Sequence, residues 1–257
     1  MPVLSEAQVK QLYFQGIGGF PPAKILKELK EYSGEEKICV ACTQIDNSTV
    51  INRNNPFASY SNRDIKNILN EWIDFLRTNT KALTALHFNT RVPQALFDAA
   101  CCQENLVELR FKWGAYPDLS ALENLRKLQF LYLGPGAGVQ DITTLGKLKS
   151  LAVLEMIGFK KIEDYSPLIS LGNLEQLVIV GPILGYTPVR DLEFLREMPN
   201  LRSLALGSIS LRKKYTREEF AALRAALPSL YDIGDFLKKR AMNGGPRDSF
   251  IEPPEAQ

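Results

Sequence analysis

The chain has 257 residues, 45% of them hydrophobic and 23% charged, with a formal net charge of +2. That length supports one or two domains around a substantial core, and near-neutrality argues against an obligatory nucleic-acid partner, which would need clustered Lys and Arg in excess. No stretch approaches the ~18 uninterrupted apolar residues of a membrane span, so no membrane partner is expected either.

Residues 1–80 hold no repeat. The opening MPVLSEAQVKQLYFQG is charged by Glu6 and has no apolar run, unlike a signal peptide. A cytoplasmic location is therefore expected, with the four cysteines as reduced thiols. SEAQVKQLYF (5–14) and PPAKILKELKEY (21–32) read as helices, the second opening on prolines. KICVACTQI (37–45) reads as a strand. SNRDIKNILNEWIDFLRT (61–78) reads as an amphipathic helix capped by Ser61, with Ile65, Ile68, Leu69, Trp72, Ile73 and Leu76 on one face.

From residue 81 a periodic pattern takes over. ALTALHF places Leu83, Leu86 and Phe88, and NLVELRF places Leu106, Leu109 and Phe111. Then Asp118, Asp141, Asp164 and Asp191 each open a D-x-x-x-L phrase: DLSAL, DITTL, DYSPL and DLEFL. Ten residues after each Asp stand Leu128, Leu151, Leu174 and Leu201. Three further on stand Leu131, Leu154, Leu177 and Leu204, and two beyond those Leu133, Met156, Ile179 and Leu206. The Asp positions are separated by 23, 23 and 27 residues. LPSLYDIGD continues the series with Leu230 and Ile233, for about seven strands between residues 83 and 235.

A period of this size carrying L-x-x-L-x-L is the sequence form of a solenoid. The x-L-x-L portion is a short strand whose alternate residues point into the stack. The three-spaced leucines before it belong to a tight turn on the opposite, convex side, which the Asp can cap through a backbone N–H two or three residues on. VPQALFDAACCQ (92–103) and TREEFAALRAAL (216–227) are expected as full convex helices, the longer C-terminal spacing making room for the second.

The phrase IEDYSPLISLGNLEQLVI (162–179) resembles the internalin-type, or phosphatase-regulator-type, leucine-rich repeat. The resemblance implies an α/β fold: a solenoid with about seven short parallel strands on its concave face and an α/β N-terminal cap. It covers about 155 residues and implies nothing about a particular partner. One departure stands out. The Asn expected three positions after the last strand leucine is replaced by Gly114, Gly136, Phe159, Pro182 and Ile209, so the Asn ladder is absent and those turns are expected to be looser or differently made. The expected organisation is residues 1–80 as a cap over the raw apolar end, residues 81–236 as the solenoid, and residues 237–257 as a Gly/Pro-rich flexible tail. A separate activity-bearing domain in residues 1–80 is the alternative.

No pattern points to catalysis, cofactor or metal. Cys39 and Cys42 lie three apart on a strand and so face opposite sides, and the adjacent Cys101 and Cys102 make a poor second half-site; buried thiols are expected. His87, the one histidine, has no nucleophile phrase beside it. GPGAG (134–138) lacks the Lys-Ser/Thr of a phosphate loop, and LRKKYTR (211–217) and LKKR (237–240) read as solvated faces.

The residues flanking each inward leucine must line the concave surface. In the middle repeats they are His87, Glu108, Arg110, Phe130, Tyr132, Val153, Glu155 and Val178, with Lys112, Trp113, Ile157 and Val180 just past the strands. Aromatic and aliphatic groups rimmed by charge are what a protein hot spot needs, unless the loop GPILGYTPVRD (181–191) folds over them. The expected function is a non-enzymatic module, monomeric when unbound, that binds a protein partner on this face. An immunity-type inhibitor of a cognate toxin is a finer alternative.

Overall fold

The computed structural model describes residues 2–15, 24–43, 60–136 and 138–231. The expected tail, the LKKR run and Ile233 of the seventh repeat lie outside the described residues, as does Ala137 within GPGAG.

Strand pairing follows the leucine pattern. Leu86, Leu109, Leu131, Leu154, Leu177 and Leu204 occupy one register line across six strands, β3 (Ala85–Pro93), β4 (Glu108–Ala115), β5 (Phe130–Leu133), β6 (Val153–Ile157), β7 (Gln176–Val180) and β9 (Ser203–Gly207). All pairs are parallel, and every leucine on that line is buried. Because side chains alternate along a strand, a one-residue slip would turn this spine to solvent, so burial itself sets the register. The Tyr231 N–H donates to the Arg202 carbonyl at 2.9 Å, continuing the ladder into the seventh repeat.

The sheet is longer at its N-terminal edge than the repeats alone predict. β2 (Lys37–Val40), the expected strand, pairs with β3, and β1 (Ile25–Leu26) pairs with β2, for eight strands in all among the described residues. The helix expected over 21–32 is corrected here in its described part, 24–32. Leu26 is drawn wholly into the core as part of β1, Ile25 faces out, and only a 3-10 turn at Leu29–Glu31 follows. Backbone pairing to β2, with Cys39 N on Lys24 O at 3.1 Å and Ala41 N on Leu26 O at 2.8 Å, outweighs the local helical propensity.

Parallel neighbours need a crossover, and the convex side supplies it. α2 (Asn62–Thr78) and α3 (Gln94–Ala100) connect the first strands. α2 opens on Ser61 in a full capping box with Asp64 and buries Ile65, Ile68, Trp72, Ile73 and Leu76, with Leu69 half-buried. Four later crossovers shrink to five-residue 3-10 turns, Ser120–Asn124, Thr143–Lys147, Ser166–Ser170 and Glu193–Glu197. α4 (Arg217–Ala225), capped by Thr216 and Glu219, restores a full helix before the seventh repeat.

The repeat Asp does what its position predicts. Asp118, Asp141, Asp164 and Asp191 each accept the backbone N–H two residues on, at 2.8–2.9 Å. A second ladder comes from the residue just before the first leucine of the L-x-x-L-x-L phrase, two residues ahead of the strand. Asn105, Ser150, Asn173 and Asn200 donate to carbonyls one coil back (Lys81, Arg126, Lys149, Gly172) at 2.8–3.1 Å. The turns that lack the family Asn are packed rather than loose. Phe159 is buried against Gly136, where an added Cβ would stand 2.6 Å from its ring. Gly134 passes so close to Lys112 that a Cβ would fall 1.8 Å from its carbonyl oxygen.

The 27-residue period does not make a helix. Its extra residues form the 181–186 loop and β8 (Thr187–Val189), which pairs with β10 (Ile209–Leu211) in a separate two-stranded sheet. One continuous core runs from Leu26 to Leu230.

Candidate functional site

Register turns the sheet's open face into two rows. The first runs Lys37, Ala85, Glu108, Phe130, Val153, Gln176, Ser203; the second runs Cys39, His87, Arg110, Tyr132, Glu155, Val178, Ala205. Beyond them Ile157 pairs with Val180, and Trp113 pairs with Arg91. All the sequence-predicted residues but Trp113, which follows Lys112 directly along β4, therefore share one face.

At the N-terminal end the face is polar. His87 Nε2 lies 2.7 Å from Glu108 Oε1, and Arg110 Nη1 approaches the same oxygen at 3.9 Å, too far for a hydrogen bond. Burial works to raise the Glu108 carboxyl, yet the His87 hydrogen bond and the neighbouring charges hold it below its ordinary value. Burial lowers Arg110, opposed by Glu108 and Glu155. His87 Nδ1 and Arg110 Nη1 are buried without a hydrogen-bond partner among the described residues. Lys112 is exposed and donates to Asn89 Oδ1 at 3.1 Å, and Trp113 is half-buried.

Cys39 stands beside His87 in the register, but burial pushes its thiol up to about 11, and Cys42 up to about 12, so both are neutral thiols at neutral pH. All four cysteines are free of disulfides, three of them buried. Among the described residues, no group of three His, Cys, Asp or Glu could hold a metal ion, and no helix is long and apolar enough to cross a membrane.

The middle of the face is covered, and by a segment that sequence reasoning did not place there. α1 (Glu6–Gln15), the expected first helix, opens with a reciprocal cap. Gln8 N donates to Ser5 Oγ at 3.2 Å, and Ser5 N donates to Gln8 Oε1 at 2.9 Å. Leu4, Val9 and Leu12 from this segment form a buried cluster with Ala152 and Val153, and Phe130, Tyr132 and Tyr231 pack against it. Ile183 and Leu184 of the 181–186 loop are exposed, at 103% and 85%, and take no part in that cluster.

Side chains of the last repeats hold the backbone that leads into α1. Glu175 accepts hydrogen bonds from the Val3 and Leu4 N–H groups, and Arg202 donates to the Leu4 carbonyl at 2.6 Å. Arg202 also pairs with Glu175 at 2.7 Å and donates to the Tyr231 hydroxyl at 2.7 Å. Glu175 and Arg202 side chains are 4% and 12% exposed. The S-x-x-Q phrase at Ser5–Gln8, with Leu4 before it and Val9 after it, is the one local signal for a helix bearing a small apolar stripe. Nothing local says which surface receives that stripe.

Of the predicted residues, Val153, Glu155 and His87 are buried, whereas Glu108, Arg110, Phe130, Tyr132, Ile157, Val178 and Val180 are half-buried. Gln176 Nε2 reaches Glu155 Oε1 at 3.4 Å, while Gln176 Oε1 and Ser203 Oγ are buried without partners among the described residues.

No family model and no curated protein matches the chain. Several solved structures do. An internalin C2 from Listeria monocytogenes is 24% identical over 60% of this chain and 62% of its own, with a TM-score of 0.47. An internalin F from the same organism is 15% identical over 60% and 55%, with a TM-score of 0.38. A leucine-rich repeat protein from Leptospira interrogans is 18% identical over 58% and 45%, with a TM-score of 0.41. The chain thus spans less than two thirds of the length of each. The fold rests on the molecule itself: a repeated leucine phrase, each copy adding one parallel strand and one convex crossover to a single core, makes this chain a leucine-rich repeat protein.

Proposed function

We propose that the chain is a non-enzymatic protein-interaction module that binds one protein partner through the open face of its eight-stranded sheet. The observation that carries this reading is the composition of the two register rows: Phe130, Tyr132, Ile157, Val178 and Val180 supply aromatic and aliphatic surface around the part that α1 covers, interrupted by Glu155 and Gln176 and flanked by the charged His87–Glu108–Arg110 group. A rigid preformed sheet loses little conformational freedom on binding, which suits one-to-one recognition. Arg110, a charge held in a half-buried site with its Nη1 group unpaired among the described residues, favours a partner that brings an acceptor.

The continuity of the core from Leu26 onward supports reading residues 24–43 and 60–80 as part of the cap rather than as a separate activity. Affinity capture with the wild type, with Arg110→Ala and Val178→Asp on the open face, and with Lys147→Asp on the convex side tests the proposal. Face variants that melt like wild type are expected to lose the partner. Retention by both, with loss in the Lys147 variant, overturns it.

A further inference from the structure

The segment 2–12 covers the open face without satisfying it. Between Val153, which packs under Val9 and Leu12, and Arg202, which holds Leu4, lie Gln176 and Ser203, adjacent in the register. Gln176 is wholly buried and Ser203 is 5% exposed, yet Gln176 Oε1 and Ser203 Oγ have no partner among the described residues. Groups buried unpaired beside the α1 cluster make this part of the face costly to close. The grip on the segment is also general. Glu175 and Arg202 bind only main-chain groups of residues 3 and 4, and the side-chain part is a stripe of three aliphatics. A ten-residue helix is below the length that stays folded alone in water, so once released α1 melts rather than competing as a rigid body.

We infer that this part of the sheet is an acceptor for an amphipathic helix, and that α1 is the chain's own occupant, displaced when a partner presents a better one. The inference rests on the open face being the binding surface and adds the partner's chemistry. The partner segment carries apolar residues spaced like Leu4, Val9 and Leu12, its helix preceded by a pair of residues whose amides reach Glu175. It adds a donor side chain placed to reach Gln176 Oε1, which no described residue of this chain does. The main-chain clamp supplies affinity without sequence preference, and the aliphatic stripe with the donor supplies choice.

The test uses the full chain carrying Val9→Asp and Leu12→Asp, changes that release α1 but leave the acceptor surface intact. The probe is a labelled synthetic peptide of residues 2–15. The released variant is expected to bind it saturably, at least ten-fold more tightly than the wild type does. A peptide with Val9→Asp should not bind, and Arg202→Ala in the released background should weaken binding about ten-fold. A released variant that melts normally, shows fast hydrogen exchange in α1 and still ignores the peptide overturns the inference, whatever the capture experiment shows.

Should the variant not fold, native-state hydrogen exchange of the wild type decides. α1 amides that open well before those of β5–β7 support displacement, and amides that open only with global unfolding overturn it. A concentration-dependent wild-type dimer that exchanges α1 between copies would assign the surface to a second copy and overturn the partner assignment.

Discussion

At the scale of single residues, two side chains show where the repeat is imperfect. Tyr165 follows the repeat Asp, where Leu119, Ile142 and Leu192 stand in the other copies; it is 1% exposed, and its hydroxyl has no partner among the described residues. Tyr165→Phe removes a buried unsatisfied group at no loss of packing. It is expected to raise stability by about 1 kcal/mol, read as a higher midpoint of chemical denaturation. Glu193 shows the opposite case. Hydrogen bonds from Arg196 and then Lys213, each at 2.7 Å, lower its carboxyl from 4.5 to about 2. A carboxyl depressed in the folded state stabilises above its unfolded value and loses that contribution as pH falls from about 4.5 to 2. Glu193→Gln should therefore be less stable than wild type at pH 7, and the gap in denaturation midpoints should close towards pH 2. The group is 39% exposed, so solvent screens the effect and the gap should shrink with salt.

At the scale of elements, the convex turn is held at both ends by side chains. Asp141 is representative: Oδ1 takes the Thr143 N–H at 2.8 Å and Oδ2 takes the Thr143 hydroxyl at 2.9 Å. Asp141→Ala is expected to cost about 1 kcal/mol, whereas Asp141→Asn, which keeps an acceptor oxygen, should lose markedly less. The four Asp positions were legible because an Asx turn is a local device, written within two residues. The Asn105, Ser150, Asn173 and Asn200 ladder was not, because each donor's acceptor lies a full coil away. Residues 24–32 show the same limit. Their helical composition is local, but the main chain of β2 offers Leu26 a buried pairing that no local signal records.

At the scale of the molecule, one core joins residues 24–43 and 60–80 to the repeats. α2 sits against α3, Trp72 Nε1 donates to the Lys27 carbonyl at 2.7 Å, and Gln103 Nε2 caps the end of α2 through the Leu76 and Asn79 carbonyls at 2.6 and 3.0 Å. With Trp113→Phe, Trp72 becomes the sole tryptophan and reports on this region alone. Its fluorescence should lose intensity or shift at the same denaturant midpoint as far-UV circular dichroism. An earlier fluorescence transition would instead mark residues up to 80 as an independent unit.

The amino-acid sequence by itself determined the solenoid: the leucine spacing names the strands, their alternation sets which residues share the open face, and the Asp phrases place the convex turns. Such features recur every 22 to 27 residues, and neighbouring coils differ so little that one copy defines the geometry of the next. Tertiary structure alone decided what happens at the unrepeated ends. There Leu26 joins the sheet, and Leu4, Val9 and Leu12 settle over Val153, because burial and main-chain hydrogen bonding select among surfaces far apart in the chain. A stripe of three apolar residues specifies that some surface must be covered; only the assembled sheet, with Glu175 and Arg202 placed at its far end, specifies which one.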